Sequence, residues 1–381
     1  MSATDEEIFA ASEEPKQGDI AVAGQWKLFR LKFLKHKPAV ISLFVIGFLY
    51  LMAAFANFIA PFDPNDTNAR FTYAPPQALS LFHDGAFMPH VNALDMELNR
   101  EAMRREFTPN PDKPLRIGFL VPSEPYDLLG FIPMETKLFG LVDPGPGDSM
   151  YLLGADRLGR DMLSRVIIGA QVSLSIGLVG VVISLALGLA IGGVSGFFGG
   201  KIDLVVQRFI EFLRSIPTIP LWMGLAAAIP VAWPPLRVYF VITIIVSLLA
   251  WTSLAREVRG KFLSLRNEDF VIAARLDGMS EFGIIFHHLI PSVVSHIIAT
   301  LTLAIPVMIL AETALSFLGI GLQPPAISWG VLLQEARNIR AVSQAPWLLF
   351  APAGAIVIAV LSFNFLGDGL RDAADPYGSE S

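Results

Sequence analysis

Residues 256–291 read REVRGKFLSLRNEDFVIAARLDGMSEFGIIFHHLIP and lie between two long apolar segments. Adjacent Ala273 and Ala274 stand near the centre of this stretch, followed by Gly278 and, thirteen positions later, by Pro291. This order predicts two short helices joined at a glycine turn. The small side chains would let another protein approach closely, although the residues alone fit a plain connector between two membrane spans equally well.

The flanking segments belong to a chain with the composition of an integral membrane protein. Of its 381 residues, 53% are hydrophobic and 16% are charged, and the mean hydropathy is +0.56. These values exclude an ordinary soluble domain of this length. Because a helix needs about 18 or more apolar residues to cross the hydrocarbon layer, the sequence predicts an all-α protein with six transmembrane helices. Their expected bounds are 39–60, 172–198, 209–230, 239–255, 292–320 and 346–366.

Basic residues before the first span set the expected orientation in the membrane. Such residues stay on the cytoplasmic side because their translocation is unfavourable. The N-terminus, residues 256–291 and the C-terminus are therefore expected in the cytoplasm. The basic residues are Lys27, Arg30, Lys32, Lys35 and Lys37. A cleavable secretory signal is the alternative for this span, but an uncleaved anchor is favoured because a long region precedes the apolar run and the run continues past the small-residue pattern.

This topology divides the chain into five expected parts. They are a cytoplasmic tail with an amphipathic helix at 1–38, a first transmembrane helix at 39–60, an extracytoplasmic insertion at 61–167, a five-helix core with the cytoplasmic loop 256–291 at 168–366, and a cytoplasmic tail at 367–381. The insertion is rich in proline but too aromatic for a disordered linker. We expect a small, largely irregular cap with a helix near 97–106, which contacts a partner protein, covers an outer gate or is a structural insertion only.

Small residues recur at every fourth position of the second expected span. Lipid supplies no hydrophobic drive for helices to associate, so such a stripe allows close approach and van der Waals contact. The stripe is expected to pack either within the bundle or against a second subunit. It consists of Gly180, Ser184, Gly188, Gly192 and Gly196.

Ionisable residues and prolines inside the spans are the candidates for a transport pathway. A charge at such depth requires a partner or water. Glu211 and Arg214 can pair with each other across one helical turn, whereas Glu312 has no such local partner. We expect Glu312 to face the pathway or a partner subunit, with a place near the outer headgroups as the alternative. Pro217 and Pro306 suit either helices that open and close or simple structural kinks.

The sequence offers no catalytic site of its own. Residues 199–201 lack the leading glycine and the Ser or Thr of a phosphate-binding loop, and the histidines form no metal-ligand spacing. The absence of cysteine excludes disulfides and thiolate metal sites. The basic cluster is explained by topology, so the expected partner surface is the lipid bilayer and not nucleic acid.

Charged residues frame the small residues of the loop. They can form rim pairs that orient a docking partner, although exposed pairs contribute only about 0–1 kcal/mol each. The four charged residues are Arg266, Arg275, Asp277 and Glu281. Ser280 is placed to cap the second short helix, and Pro291 marks the entry to the next span.

The loop resembles the EAA loop of ABC importer permeases, and other segments resemble one branch of that family. LLGADRLGRDMLSRVIIGA at 152–170, ALSFLGIGLQPPAISWG at 314–330 and NFLGDGLRDAADP at 364–376 are similar to signatures of the C-type subunit of the dipeptide and oligopeptide branch. The N-terminal region, from WKLFRLKFLKHKPAV through APFDP, is similar to that subunit as well. The resemblance covers most of the chain, and its segments follow in the expected order.

The resemblance implies a six-helix permease with the type I ABC importer bundle, in the bacterial cytoplasmic (inner) membrane. It would pair with a homologous B-type permease, two cytoplasmic ATPase subunits and an extracytoplasmic solute-binding protein, and would carry di- or oligopeptides by alternating access. The ATPases would use ATP and Mg, and their closure would push on Ala273, Ala274 and Gly278. The loop departs from the family pattern at two positions, Ile272 and Asp277, where an acidic and an apolar residue are usual.

Other functions stay open on the sequence. The same branch includes permeases for nickel, opines and oligosaccharides, and the long insertion hints at larger cargo. A secondary transporter would need ion-coupling carboxylates near the midplane and usually inverted repeats, and the sequence favours neither. A passive channel or an assembly scaffold is the remaining alternative.

Overall fold

The computed structural model describes residues 25–99, 104–145, 147–230 and 232–374, with the side chains of 25–28, 104 and 340 outside that description. Most of the expected tails, up to residue 24 and from residue 375, therefore lie outside the described residues. The helices are α1 Gln25–Lys35, α2 Lys37–Ala54, α3 Ala56–Ile59, α4 Met162–Phe198, α5 Gly200–Ser215, α6 Thr218–Ala227, α7 Pro235–Leu265, α8 Asp269–Leu276, α9 Glu281–Ile284, α10 Ile290–Phe317, α11 Trp329–Leu333, α12 Ile339–Gln344 and α13 Trp347–Ala374. A π-turn at Ile285–Leu289 joins α9 and α10 into one continuous helix.

Five helical segments of the described chain are long and apolar enough to cross a membrane: α2, α4, α7, α9–α10 and α13. A helical integral membrane protein is confirmed, but the count of six spans is not. The third expected span, 209–230, is divided into α5 and the ten-residue α6. The break lies at Ile216, which is extended, because the ring of Pro217 disfavours a helical conformation at the preceding residue. Pro306, in contrast, lies within the unbroken α10.

The glycine stripe of α4 packs against α7 of the same chain. A Cβ added at Gly192 would lie 2.7 Å from the Cα atom of Ala255, and one at Gly196 would lie 2.7 Å from the carbonyl oxygen of Arg259. These distances leave no room for a side chain, so glycine is what lets the two helices meet. The remaining members of the stripe, Gly180, Ser184 and Gly188, are also buried. The stripe therefore serves the bundle of this chain.

The insertion contains a four-stranded antiparallel sheet, with strands in the order β1 Ser80–His83, β2 Ala86–Asn99, β3 Arg104–Leu128 and β4 Ile132–Leu141. The expectation of a largely irregular cap with a helix near 97–106 is wrong, since Glu97 lies opposite Glu106 in the register of β2 and β3. Prolines obscured these strands because proline cannot donate a ladder hydrogen bond and is tolerated mainly at edges and bulges. One such irregularity separates Pro122 from Tyr126.

The sheet lies at one end of the helical bundle. Val91, Leu115 and Leu141 of the strands pack with Met150, in the segment that leads into α4. At the other end of α4, Phe197 packs with the loop that follows α7. Because α4 has 37 residues, about 55 Å of helix separates the sheet from that loop.

Candidate functional site

The loop after α7 is a helical hairpin whose turn is set by a glycine. Gly278 has φ +78°. Its N–H donates to the carbonyl oxygen of Arg275 at 3.0 Å, and the N–H of Met279 donates to that of Ala274 at 3.1 Å. This pair of bonds is a Schellman motif, which favours glycine because other residues rarely adopt positive φ. The two short helices joined at a glycine turn are confirmed.

The second helix of the hairpin continues into a membrane span. Ser280 caps α9, as expected, because its Oγ accepts a hydrogen bond from the N–H of Gly283 at 3.2 Å. The π-turn ends at Leu289, two positions before Pro291, which has no N–H, and the N–H of Ile290 bonds five residues back. Pro291 therefore lies in the first turn of α10 without interrupting the helix. Consequently α9 and α10 are parts of one continuous helix.

The hairpin has one buried side and one exposed side. Val271 of α8 and Ile284 of α9 are fully buried in an apolar cluster with Phe262 of α7 and Phe197 of α4. Other apolar side chains of the hairpin are exposed, and among them Leu276 is 84% exposed. We call these residues the exposed row: Phe270, Ile272, Leu276, Met279, Phe282 and Phe286. Exposed apolar side chains in such number are typical of interaction surfaces.

The small and charged residues of the loop divide between the two sides. Ala274 is buried, whereas Ala273 and Gly278 are exposed. Two residues expected in rim pairs have other partners: the Arg275 guanidinium lies 5.2 Å from the ring centre of Phe197, and Arg266 donates to a backbone oxygen of α4. Asp277 and Glu281 are exposed beside them.

Two pairs of polar side chains brace the base of the hairpin, and sequence reasoning missed both. Asp203 of α5 contacts Arg259 of α7, with one bond of 2.5 Å, and accepts a further hydrogen bond from Ser195 at 2.6 Å. The bond from Arg259 holds the pKa of Asp203 below its usual value. Glu257 of α7 lies 2.5 Å from Nε2 of His296 in α10. The pairs tie α5, α7 and α10 together. The only feature of the sequence that could have indicated them was the presence of charged residues near the ends of apolar helices.

Glu312, expected to face a pathway or a partner subunit, is instead fully buried within the chain. Its carboxylate accepts hydrogen bonds from Ser328 at 2.7 Å, Ser316 at 2.8 Å and Ser173 at 3.4 Å. Each of these hydroxyl groups in turn accepts a backbone N–H. The three hydroxyl groups supply the hydrogen bonds that water or an ion would otherwise provide. These bonds join α4, α10 and the segment before α11. The expectation that Glu312 faces a pathway or a partner subunit is therefore corrected.

The other pathway candidates have different surroundings. Glu211 is exposed and pairs with Arg208 at 2.8 Å, not with Arg214, which donates to a serine of α7. The expected pair is therefore wrong in its partner, although the spacing of three residues is the same. Pro217 is exposed at the break between α5 and α6, whereas Pro306 is buried in α10.

A charged cluster at the sheet end of α4 was also missed. Asp156 accepts a hydrogen bond from Arg160 at 2.6 Å and lies 3.5 Å from Arg165. Glu335, which precedes α12, lies 3.5 Å from both Arg157 and Arg160. Arg157, Arg160, Arg165 and Glu335 border a cavity of about 440 Å³. The charges of the LLGADRLGRDMLSR stretch thus fasten the start of α4 to the segment between α11 and α12.

Two family comparisons match most of the helical part. The family described as binding-protein-dependent transport system inner membrane component matches residues 158–377. The family described as the N-terminal TM domain of oligopeptide transport permease C matches residues 24–76. The hairpin and the glycine stripe lie in the first region, as does the charged cluster except for Asp156 and Arg157. The whole sheet lies between the two.

Individual relatives agree with these matches. The chain is 41% identical to the oligopeptide transport system permease protein OppC of Haemophilus influenzae, over 60% of this chain and 71% of that protein. It is 36% identical to OppC of Bacillus subtilis, over 63% and 76%, and 37% identical to the dipeptide transport system permease protein DppC of Lactococcus lactis, over 62% and 66%. It is also similar to a chain of the MetNI methionine ABC transporter, solved in inward-facing conformations, with 18% identity and a TM-score of 0.44, over 56% of this chain and 98% of that chain.

Proposed function

Because the chain belongs to the family of binding-protein-dependent transport system inner membrane components, we propose that it is a permease subunit of an ATP-driven peptide importer. Similarity to oligopeptide and dipeptide permease proteins supports di- or oligopeptides as the cargo. Nickel, opines and oligosaccharides are not favoured by these relatives. The chain forms half of the translocation pathway and leaves ATP hydrolysis, with ATP and Mg, to partner subunits.

The observation that carries this proposal is the hairpin of residues 269–291. A loop that only connected two spans would not need an exposed row of apolar side chains on a firmly packed base. A cytoplasmic ATPase subunit is the partner we assign to the exposed row. Ala273 and Gly278 leave room for its surface, while Arg275, Asp277 and Glu281 lie at the edge of the contact.

Force applied to the hairpin would reach the membrane helices through contacts already described. Val271 and Ile284 are packed against Phe262 and Phe197, so α8 cannot move far without α7 and α4. The continuous α9–α10 helix would carry the same displacement to a second span. The pair of Asp203 and Arg259 would make α5 follow. Closure of the ATPases would thereby change the tilt of several spans together, which is what alternating access requires.

The remaining partners and the topology complete the proposal. A homologous B-type permease supplies the other half of the pathway, a second ATPase subunit serves that permease, and an extracytoplasmic solute-binding protein delivers the peptide. Both termini and residues 256–291 face the cytoplasm of a bacterial cell, and the insertion at 61–167 lies outside the inner membrane. This topology requires α5 and α6 together to return the chain across the membrane between α4 and α7 as a sixth crossing. The permease core at 168–366 contains the moving helices.

A secondary transporter is disfavoured by the surroundings of Glu312. Ion coupling needs a carboxylate that exchanges its partner during transport. Glu312 is fully buried, and its oxygens are occupied by Ser173, Ser316 and Ser328. The carboxylate therefore has a structural role in the permease.

Copurification from native membranes tests the proposal. We expect an affinity tag on this chain to recover a second permease and two ATPase subunits, identified by mass spectrometry. Leu276→Asp should lose the ATPases but keep the second permease, because a carboxylate would be buried in an apolar contact. Ile339→Asp is the matched control, since Ile339 is 83% exposed and lies beyond the other end of the bundle. Full ATPase recovery with Leu276→Asp would contradict the assigned docking surface.

A further inference from the structure

The tip of the β3–β4 hairpin is apolar and exposed. Residues 128–134, LLGFIPM, contain no charged residue, and they lie between Asp127 and Glu135. Phe131 is 73% exposed, and Leu129 and Ile132 are exposed beside it. Each of these three side chains leaves at least 40% of its surface uncovered by the chain, so their presence together at a tip calls for an apolar environment outside it.

The turn itself does not explain this choice of residues. Leu129 and Gly130 have φ values of 54° and 80°, and the N–H of Phe131 donates to the carbonyl oxygen of Leu128. Turns with two successive residues at positive φ favour Asn or Asp before glycine. The β1–β2 turn of the same sheet follows this preference with Asp84 and Gly85, at 48° and 79°. A leucine in the equivalent position is therefore unfavourable for the turn, and about half of its surface stays exposed.

The hairpin runs back toward the membrane. At its base, Ile117 and Leu141 pack with Phe62, which follows the helical part of the first span. Near its tip, the backbone oxygen of Asp127 accepts a hydrogen bond from Asn57 at 3.3 Å. Asn57 lies in α3, three residues after the end of α2. The direction from base to tip thus follows the chain backwards, toward the apolar span.

Residues just behind the tip suit the boundary between lipid and water. The ammonium group of Lys137 lies 4.1 Å from the ring centre of Tyr126 and donates to the backbone oxygen of Asn57. Tyrosine and lysine at the end of a span commonly lie at headgroup level, with the apolar part toward the hydrocarbon. Phe55, at the same end of α2, is also exposed.

We propose that Leu129, Phe131 and Ile132 insert into the membrane surface beside α2 and anchor the sheet to the lipid. The occupant of this surface is the bilayer, because the tip continues the exposed apolar surface of the first span. The anchor would hold the sheet at a fixed height above the bundle. It lies outside both regions matched by the family comparisons, and it does not depend on the proposed cargo or on ATPase docking.

Fluorescent labelling in lipid nanodiscs tests the proposal. The chain has no cysteine, so Phe131→Cys gives a single site for an environment-sensitive dye, in a transporter whose other subunits have no reactive cysteine. We expect blue-shifted emission that nitroxide-labelled lipid quenches and aqueous iodide does not. Phe87→Cys is the matched control, because Phe87 is 70% exposed next to the polar β1–β2 turn. Its emission should respond to iodide and not to the lipid quencher.

A second labelling position and the addition of the solute-binding protein distinguish the possible outcomes. Ile132→Cys should behave like Phe131→Cys, which covers the case in which one variant does not assemble. A dye at either position that iodide quenches as fully as it quenches the Phe87 label would overturn the proposal. So would shielding that develops only after the solute-binding protein is added, since the occupant would then be protein.

Discussion

Substitution of Gly278 separates the fold of the hairpin from its contact with a partner. Among the described residues, apart from the two chain neighbours, no atom lies within 4 Å of a Cβ placed at Gly278. The main internal consequence of Gly278→Leu is therefore a side chain at φ +78°, which costs roughly 1–2 kcal/mol. Gly85→Leu is the matched control, because Gly85 has φ +79° and equally open space, but lies in the sheet.

The two variants should lose similar stability but differ in ATPase binding. A leucine forced into a closely fitted interface costs about 1–3 kcal/mol, so we expect affinity for the ATPase subunit to fall about 5- to 150-fold with Gly278→Leu. Gly85→Leu should leave that affinity unchanged. The assay is titration of labelled ATPase onto the permease pair in nanodiscs, with melting temperature measured on the same samples.

The result that would refute this reasoning is equal ATPase affinity in the two variants. Equal affinity together with normal peptide uptake would place the docking surface elsewhere. A loss of affinity accompanied by a much larger fall in melting temperature for Gly278→Leu than for Gly85→Leu would instead mean that the hairpin had unfolded.

Three further predictions concern the bundle. Gly192→Leu should destabilise the chain by about 1–3 kcal/mol or more, because its Cβ would lie 2.7 Å from the Cα atom of Ala255. Gly47→Leu, in open space on α2, is the control and should not destabilise the chain. Equal melting temperatures for the two variants would contradict the prediction. Glu312→Ala should cost several times the roughly 1 kcal/mol of a single hydrogen bond, because three serine hydroxyls lose their acceptor; Glu312→Gln keeps one oxygen and should melt closer to wild type. Asp161 is buried at the start of α4, where its carboxylate accepts a hydrogen bond from the N–H of Ser164. Burial raises the pKa of Asp161 from 3.8 to about 6, so this group opposes folding increasingly as the pH rises from about 4 through 6 and fully above that range. Asp161→Asn should make the melting temperature less dependent on pH across that window. An unchanged dependence of the melting temperature on pH would contradict the raised pKa of Asp161.

Features set by neighbouring residues were predictable from the sequence. Long apolar runs predicted the membrane spans because crossing the hydrocarbon layer requires length and apolarity alone. Gly278 and Ser280 predicted the turn and the cap of the hairpin, since each acts through hydrogen bonds within a few residues. The glycine stripe of α4 likewise indicated close packing, although not the helix it packs against.

Features set by distant residues were not predictable. The hydrogen bond from Ser173 to Glu312 joins positions 139 apart, and Asp203 lies 56 positions from Arg259. No local pattern reports such partners, so Glu312 looked unpaired in the sequence. Pro217 and Pro306 also looked alike, yet one separates two helices and the other lies within a helix held on both sides by packed neighbours.

ATP-driven peptide uptake is the most direct test of the central claim. The four membrane and ATPase subunits would be reconstituted into liposomes without an ion gradient, with the solute-binding protein and a labelled oligopeptide outside and ATP inside. We expect accumulation that requires both ATP and this chain and that Leu276→Asp abolishes. Uptake by this chain alone without ATP would contradict the account and indicate a channel or secondary carrier.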